Sequence, residues 1–358
     1  MKKVLFICPY PLKVAAGQRL KFEPHFKALE NENYEITVHS FMNAKLWNIA
    51  SKRGHTTQKI IWTMIGLARR VSLIFSIRKY DCVYIFMNVF PFGPPLLESI
   101  YIKLSKKVIF DIEDNLLSEE IGSINWLASI LKSKNKARYL IKNVDHIIAS
   151  SPDLVDKCNV ISEKNSAIFI PPTLEEKRFI PKKPSENPDR KIVIGWTGTF
   201  SSKAFLDLLI PHLEKLYKKK PFKLTVIGNF EMRNQNLDLD VLQWNAEDEI
   251  EQLHNFDIGL YPLPENDWVS GKSGLKALQY MAIGIPAVCT AVGNVLNFIE
   301  HDKDGILIYN VEDWVENLGS LIENTEKRER IGSNGRDKFV RNYSQNAIFK
   351  KYLSVIGD

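Results

Sequence analysis

The sequence predicts an α/β protein of two Rossmann-like domains facing each other across a cleft. Three observations carry that expectation: the length of the chain, the alternation of short β-rich runs with longer amphipathic stretches, and a proline-rich interruption near the middle. At 358 residues the chain exceeds the roughly 250 to 300 residues that one core holds, so two domains are expected. With 45% hydrophobic and 25% charged residues, it has the apolar area of a packed globular protein, which excludes a disordered chain.

In the first half, β-rich runs at 3–8, 35–40, 82–86, 107–111, 146–149 and 167–170 alternate with helical stretches. Strands spaced by amphipathic helices imply right-handed crossovers and a parallel sheet covered on both faces. Between Pro171 and Pro188 the composition turns to proline and charge, marking a linker. Alternation then resumes, with strands at 191–195, 223–228, 257–261, 287–290 and 306–308 and helices near 203–219, 246–254, 272–283 and 311–325. The expected division is an N-terminal domain over 1–175, a linker over 176–190 and a C-terminal domain over 191–343.

The net charge of +6 is unevenly placed: residues 1–175 hold 24 Lys or Arg against 16 Asp or Glu, and the remainder 24 against 26. A basic half suits an anionic partner such as phosphates on a lipid surface or an acceptor, although solvated lysines give the same sum. Cys8, Cys82, Cys158 and Cys289 are scattered, which suits reduced core thiols and a cytoplasmic setting better than a disulfide or zinc framework. The apolar run after Met1 is short and ends at Pro9, reading as a strand rather than a signal peptide. Arg69 and Arg70 interrupt the apolar stretch 60–77, so it does not span a bilayer. That stretch and 124–141 mix Trp62, Trp126, Leu and Ile with Lys and Arg; they suit either a peripheral position on an anionic inner-membrane face or ordinary sheet-covering helices.

In open α/β sheets ligands bind at the carboxyl ends of strands. The most informative loop runs from Leu260 to Pro286, where a strand ends at Tyr261 and a helix is expected from about Lys272. On that helix Lys272, Lys276 and Gln279 fall within an arc of roughly 60°. Gly271, Lys272 and Ser273 at the helix start form a candidate diphosphate cradle, and Gln279 a candidate ribose contact. An exposed charged stripe is the alternative. Gly271-Lys272-Ser273 is not a P-loop, because Asn266 occupies the position where the pattern needs glycine.

A second loop follows the strand at 191–195. There Gly195 and Gly198 permit close backbone approach, and Thr199, Ser201, Ser202 and Lys203 are candidate phosphate contacts, an ordinary βα turn being the alternative. After the first strand, Gly17 brings backbone towards a phosphate or sugar and Arg19 is a candidate anion contact, a solvated arginine at a helix start being the alternative. The dinucleotide Gly-x-Gly-x-x-Gly spacing is missing, which argues against a dehydrogenase. At the end of the fourth strand Asp111, Glu113 and Asp114 suit a metal, a base or hydroxyl recognition, with recognition of hydroxyls or acceptor favoured because no His is near. Asp114 as a helix cap is the structural alternative.

With these loops in view the chain resembles the retaining glycosyltransferases of family four, of bacterial surface-polysaccharide and lipopolysaccharide type, which have the GT-B fold. The resemblance rests on the Gly17 loop, 111–115, 145–150, 170–173, 195–198, 256–262 and 278–286. It implies a transferase that moves a sugar from a nucleotide diphospho-sugar to a glycan or lipid-linked acceptor with retention, using no cofactor and no metal and binding no nucleic acid. The family helix bears two glutamates eight positions apart; here those positions hold Gly271 and Gln279, so the sugar contact must come from elsewhere. Thr199 replaces the arginine of the family's diphosphate clamp and Lys203 matches its lysine only approximately, leaving Lys272 to supply the missing charge. Glu113 aligns with the family's histidine near the reacting sugar. The resemblance thus gives Lys272, Glu113 and Asp111 as catalytic, Gly17, Gly198, Thr199, Lys203, Gly271, Ser273, Lys276 and Gln279 as donor-binding, and Arg19 and Asp114 as acceptor-side. It also implies that the terminal segment 344–358 is a helix crossing back to the N-terminal domain. The departures keep two rivals open: a degenerate GT-B binding protein, and a sugar-nucleotide epimerase.

Overall fold

The computed structural model describes residues 1–50, 52–113, 115–117, 134–164, 166–183, 190–266, 269 and 271–357. The chain divides into two compact units, one of Met1–Thr173, Gly271–Ser273 and Ile348–Asp358, the other of Leu174–Ser270 and Gly274–Ala347. Each holds a parallel sheet of six strands.

The first sheet is built from β1 (Lys2–Cys8), β2 (Tyr34–Ser40), β3 (Cys82–Phe86), β4 (Val108–Ile112), β5 (His146–Ala149) and β6 (Ala167–Phe169), in the order β2-β1-β3-β4-β5-β6. Every residue of β3 and β4 is buried, as a parallel sheet covered on both faces requires. Side chains alternate between faces. Leu5, Ile7, Val83, Ile85 and Phe110 fill one layer, and Val4, Phe6, Tyr84, Phe86 and Ile109 the other. The C-terminal helix Gln345–Gly357 inserts Tyr352, Val355 and Ile356 into that second layer. Lys107 Nζ donates to Val355 O at 2.5 Å and Lys2 Nζ to Gly357 O at 2.6 Å, satisfying carbonyls at the helix end.

The second sheet comprises β7 (Val193–Thr197), β8 (Lys223–Ile227), β9 (Leu239–Leu242), β10 (Ile258–Tyr261), β11 (Ala287–Thr290) and β12 (Ile306–Ile308), ordered β12-β11-β10-β7-β8-β9. Strand β9 is absent from the sequence reading, and its residues are only half-buried. It is an edge strand of four residues, Leu-Asp-Val-Leu, in which Asp240 interrupts the apolar run that would mark it. In both sheets the order reverses at one point, between β1 and β3 in the first and between β7 and β10 in the second. Such switch points are where open α/β sheets leave a crevice for ligands.

The helix expected from Lys272 begins instead at Leu275 and runs to Ala282, with Gly274 in the left-handed conformation at its N-cap (φ 80°). Lys272 therefore precedes the helix, and the face shared by Lys272, Lys276 and Gln279 reduces to Lys276 and Gln279. Asp114, with its acceptor-side role or capping role, lies outside the described residues, as do Trp126 and most of the segment 124–141.

Candidate active site

In the second unit, two loops meet the switch point: one follows β7, the other leads from β10 to the helix Leu275–Ala282. After β7 the backbone turns at Gly198, where a Cβ would stand 2.3 Å from the Trp196 ring. Only glycine lets the chain fold over that buried indole. Thr199 and Ser202 then form a reciprocal capping box: Thr199 N donates to Ser202 Oγ at 3.1 Å and the Thr199 side chain accepts from the Ser202 backbone, while Ser202 Oγ also donates to Thr199 O at 3.1 Å. Thr199 thus shapes the loop.

Lys203 lies one turn on, where its Nζ meets Asp207 Oδ1 and Oδ2 at 2.7 and 2.8 Å. That carboxylate offsets the charge the sequence reading assigned to phosphate. The cation at the loop is Lys276. Its Nζ sits 4.6 Å from the Trp196 ring centroid and 5.8 Å from that of Tyr261, and donates to Ser202 Oγ at 3.4 Å. Aromatic faces attract an ammonium through the ring quadrupole and orient it. Tyr280, from the same helix, accepts from Thr197 N at 3.3 Å and donates to Leu260 O at 3.1 Å, fixing that helix to the ends of β7 and β10. Burial pushes the Tyr280 phenol far above its ordinary range, so it stays a neutral strut.

Gln279 is buried, and its Nε2 donates to Glu249 Oε1 at 3.3 Å. Glu249, also buried, accepts from Trp244 Nε1 at 3.4 Å and lies 3.8 Å from Arg178 Nη2. This carboxylate was missed by the sequence reading. The signal that could have found it is weak: one glutamate opening a short helix, Glu249–His254, whose first turn is acidic.

Gly271, Lys272 and Ser273 group with the first unit, where a Cβ on Gly271 would stand 2.6 Å from Asn115 Cβ. The cradle expected at a helix start therefore precedes the N-cap, Gly274, and lies outside the helix. In the first unit Gly17 lies on Glu113, its missing Cβ falling 2.0 Å from Glu113 Oε2. These two sequence candidates meet. Gln18 holds the loop, its Nε2 donating to Tyr10 O at 3.0 Å and to Glu23 Oε1 at 3.0 Å. Ser150 Oγ donates to Glu113 O at 2.5 Å.

Asp111 and Arg19 have different surroundings from those expected. Asp111 is fully buried, 2.5 Å from the equally buried Lys21 Nζ, and accepts from the Tyr84 hydroxyl. Burial raises its carboxyl pKa while Lys21 and Tyr84 pull the other way. An internal pair of this kind serves the core. Arg19 is buried rather than solvated. Among the described residues no group of three or more His, Cys, Asp or Glu is placed to hold a metal ion.

Residues 177–338 match the family described as Glycosyl transferases group 1. An uncharacterized glycosyltransferase of Methanocaldococcus jannaschii is 24% identical over 194 residues, which cover 51% of this chain and 48% of that protein. The capsular polysaccharide biosynthesis glycosyltransferase CapM of Staphylococcus aureus is 23% identical over 176 residues, 46% of this chain and 45% of its own. The match spans about half the length of each relative. Among solved structures, a glycosyltransferase from Rickettsia africae ESF-5 superposes with a TM-score of 0.70 at 13% identity, covering 99% of this chain and 97% of its own. HepE of Anabaena, solved in complex with UDP-glucose, gives 0.71 at 13% identity with 100% of both chains covered. Likeness at such identities establishes the fold, which is GT-B.

Proposed function

We propose that this chain, a GT-B protein with a group 1 glycosyltransferase domain over residues 177–338, moves a sugar from a nucleotide diphospho-sugar to a glycan or lipid-linked acceptor. The setting is bacterial surface-polysaccharide assembly, the context named for CapM. One observation carries the reading: the Lys276 ammonium stands beside Ser202 on the Trp196 ring, at the carboxyl ends of β7 and β10. As the donor breaks, negative charge gathers on the departing diphosphate, and a cation already fixed there stabilises it without reorganisation. Gly198 and Thr199, in the same unit, offer backbone and hydroxyl donors beside it. Glu249, reached through Gln279, supplies the carboxylate for ribose that position 279 lacks.

The transfer proceeds with retention. The acceptor oxygen bonds to the anomeric carbon as the bond from that carbon to the phosphate oxygen breaks, and the leaving diphosphate takes the acceptor proton. No side-chain base and no metal ion is required. Glu113, beside Gly17, is the polar group of the first unit that contacts sugar hydroxyls.

The test is a thermal-shift screen of the full chain with UDP-, GDP-, ADP- and dTDP-sugars, followed by transfer assays on the donor that stabilises it. A ligand bound at a hundred times its Kd adds about 2.7 kcal/mol of apparent stability. The expected result is a rise in Tm with one nucleotide class that Lys276→Ala abolishes. No stabilisation by any nucleotide sugar would sink the proposal. Stabilisation without transfer or hydrolysis would make the chain a binding protein, and conversion of donor with no acceptor present would make it an epimerase.

A further inference from the structure

The helix Thr56–Leu73 covers one side of the first unit, burying Gly66, Arg70 and Leu73. Gly66 faces Phe41, and Arg70 donates to Cys8 O, His39 O and Val89 O at 2.8 to 2.9 Å, locking the helix to the strand ends. The opposite face of such a helix is ordinarily polar. Here it is not. At 100° per residue, Ile61, Met64, Ala68 and Val71 fall within an arc of about 80° directly opposite Gly66, and Phe75 follows in the turn after the helix. All five are exposed, Ile61 at 51%, Met64 at 57% and Phe75 at 87%. Ile60 and Ile65 widen the stripe and are exposed as well. A contiguous outward apolar surface marks a place where something docks.

The charge pattern says what docks. From Ile36 to Tyr80 the sequence holds no Asp or Glu, and it carries Lys45, Lys52, Arg53, Lys59, Arg69, Arg70, Arg78 and Lys79. Arg70 is spent inside the fold, whereas Lys52 and Arg53 before the stripe, Arg69 along its flank, and Arg78 and Lys79 after it are exposed. Lys45 lies 5.1 Å from the Trp62 ring centroid, at the helix flank. A protein partner that covered only the apolar stripe would not call for forty-five consecutive residues without a carboxylate. A surface whose own charge is uniformly negative does, and an apolar stripe bordered by cations is the geometry of a helix lying in a phospholipid interface. No helix among the described residues is long and apolar enough to cross a membrane.

We propose that this face binds an anionic bilayer, with Ile61, Met64, Val71 and Phe75 entering the acyl boundary and Arg69, Arg78 and Lys79 meeting lipid phosphates. The inference is independent of the donor-site assignment, since vesicle binding is measured without any sugar nucleotide. The full chain is sedimented with vesicles of equimolar phosphatidylglycerol and phosphatidylcholine and with vesicles of phosphatidylcholine alone. Wild type is expected to sediment with the anionic vesicles at least tenfold more strongly, and to be released by about 0.5 M salt as charges are screened. Arg78→Gln with Lys79→Gln is expected to weaken partitioning by about fivefold per cation. Ile61→Asp with Met64→Asp, at exposed sites that leave the fold intact by circular dichroism, is expected to abolish it. Failure of wild type to sediment with anionic vesicles overturns the proposal, as does sedimentation of the Asp variant at the wild-type level. Equal binding to both vesicle types removes the electrostatic half of the argument and overturns it too.

Discussion

Each sheet reverses strand order once, at a different place in its order, and charge is used in opposite senses in the two. In the first unit Lys21 and Asp111 face each other at 2.5 Å, both at 0% exposure, and Tyr84 completes the carboxylate's shell. The cation is consumed by the core. In the second unit Lys276 comes to rest on Trp196 and Tyr261 beside a serine hydroxyl. An ion pair cancels a charge and an aromatic face aims it, so two six-stranded parallel sheets yield a structural strut in one unit and a candidate phosphate contact in the other.

The sharpest way to break this contrast is to remove each cation in turn. Lys21→Ala leaves Asp111 buried without its counter-charge and is expected to cost about 3–5 kcal/mol in urea unfolding. The double change Lys21→Met with Asp111→Leu is expected to recover most of that loss, because it removes both charges. A Lys21→Ala protein as stable as wild type would show that the pair is not what holds this part of the core. Lys276→Ala reverses the pattern: about a 100- to 1,000-fold fall in kcat/KM with an unchanged melting temperature. Lys272→Ala, run alongside, ranks the two lysines, and a larger loss at Lys272 would return the leading role to it.

Asp257 offers a third test, within the second unit but away from the switch. Burial raises its pKa, but hydrogen bonds from Arg190 and Lys182 outweigh that and hold the carboxyl below its ordinary value of 3.8. A depressed native pKa means the carboxylate stabilises the fold above about pH 3.8, and that contribution drains away as the pH falls further. Asp257→Asn is expected to cost about 2 kcal/mol at neutral pH and to flatten the acid limb of the stability curve. A curve superimposable on wild type would contradict the assignment. The smallest effect is expected of Trp196→Phe, which keeps a ring beneath Lys276 but a weaker one; kcat/KM should fall by about two- to fivefold.

Most of the fold is legible in the residue order because a buried parallel strand is a local pattern. Val83 to Phe86 and Val108 to Phe110 announce themselves by apolar, β-branched and aromatic character, and the helices between them by period. Edge strand β9 escapes that reading since half its surface meets water. The helix start was misplaced by three residues: Gly271-Lys272-Ser273 has the composition of a helix opening, whereas Gly274 with its positive φ is where the helix is entered. Site residues were legible by position in their loops and not by role. Gly17 and Glu113 do meet, Gly198 does fold over an indole, and Lys276 does reach the β7 loop. Asp111, Lys203 and Gln279 are each engaged by a partner that no spacing rule names: Lys21, Asp207 and Glu249.

By itself, then, the amino-acid order determined two parallel sheets and the loops at their carboxyl ends, because hydrophobic periodicity and turn chemistry act over a few residues. Only the tertiary structure decided which charges are cancelled and which are presented. Whether a cation meets a carboxylate, as Lys21 meets Asp111, or an aromatic face, as Lys276 meets Trp196, depends on side chains distant in the chain and brought within a few ångströms by packing.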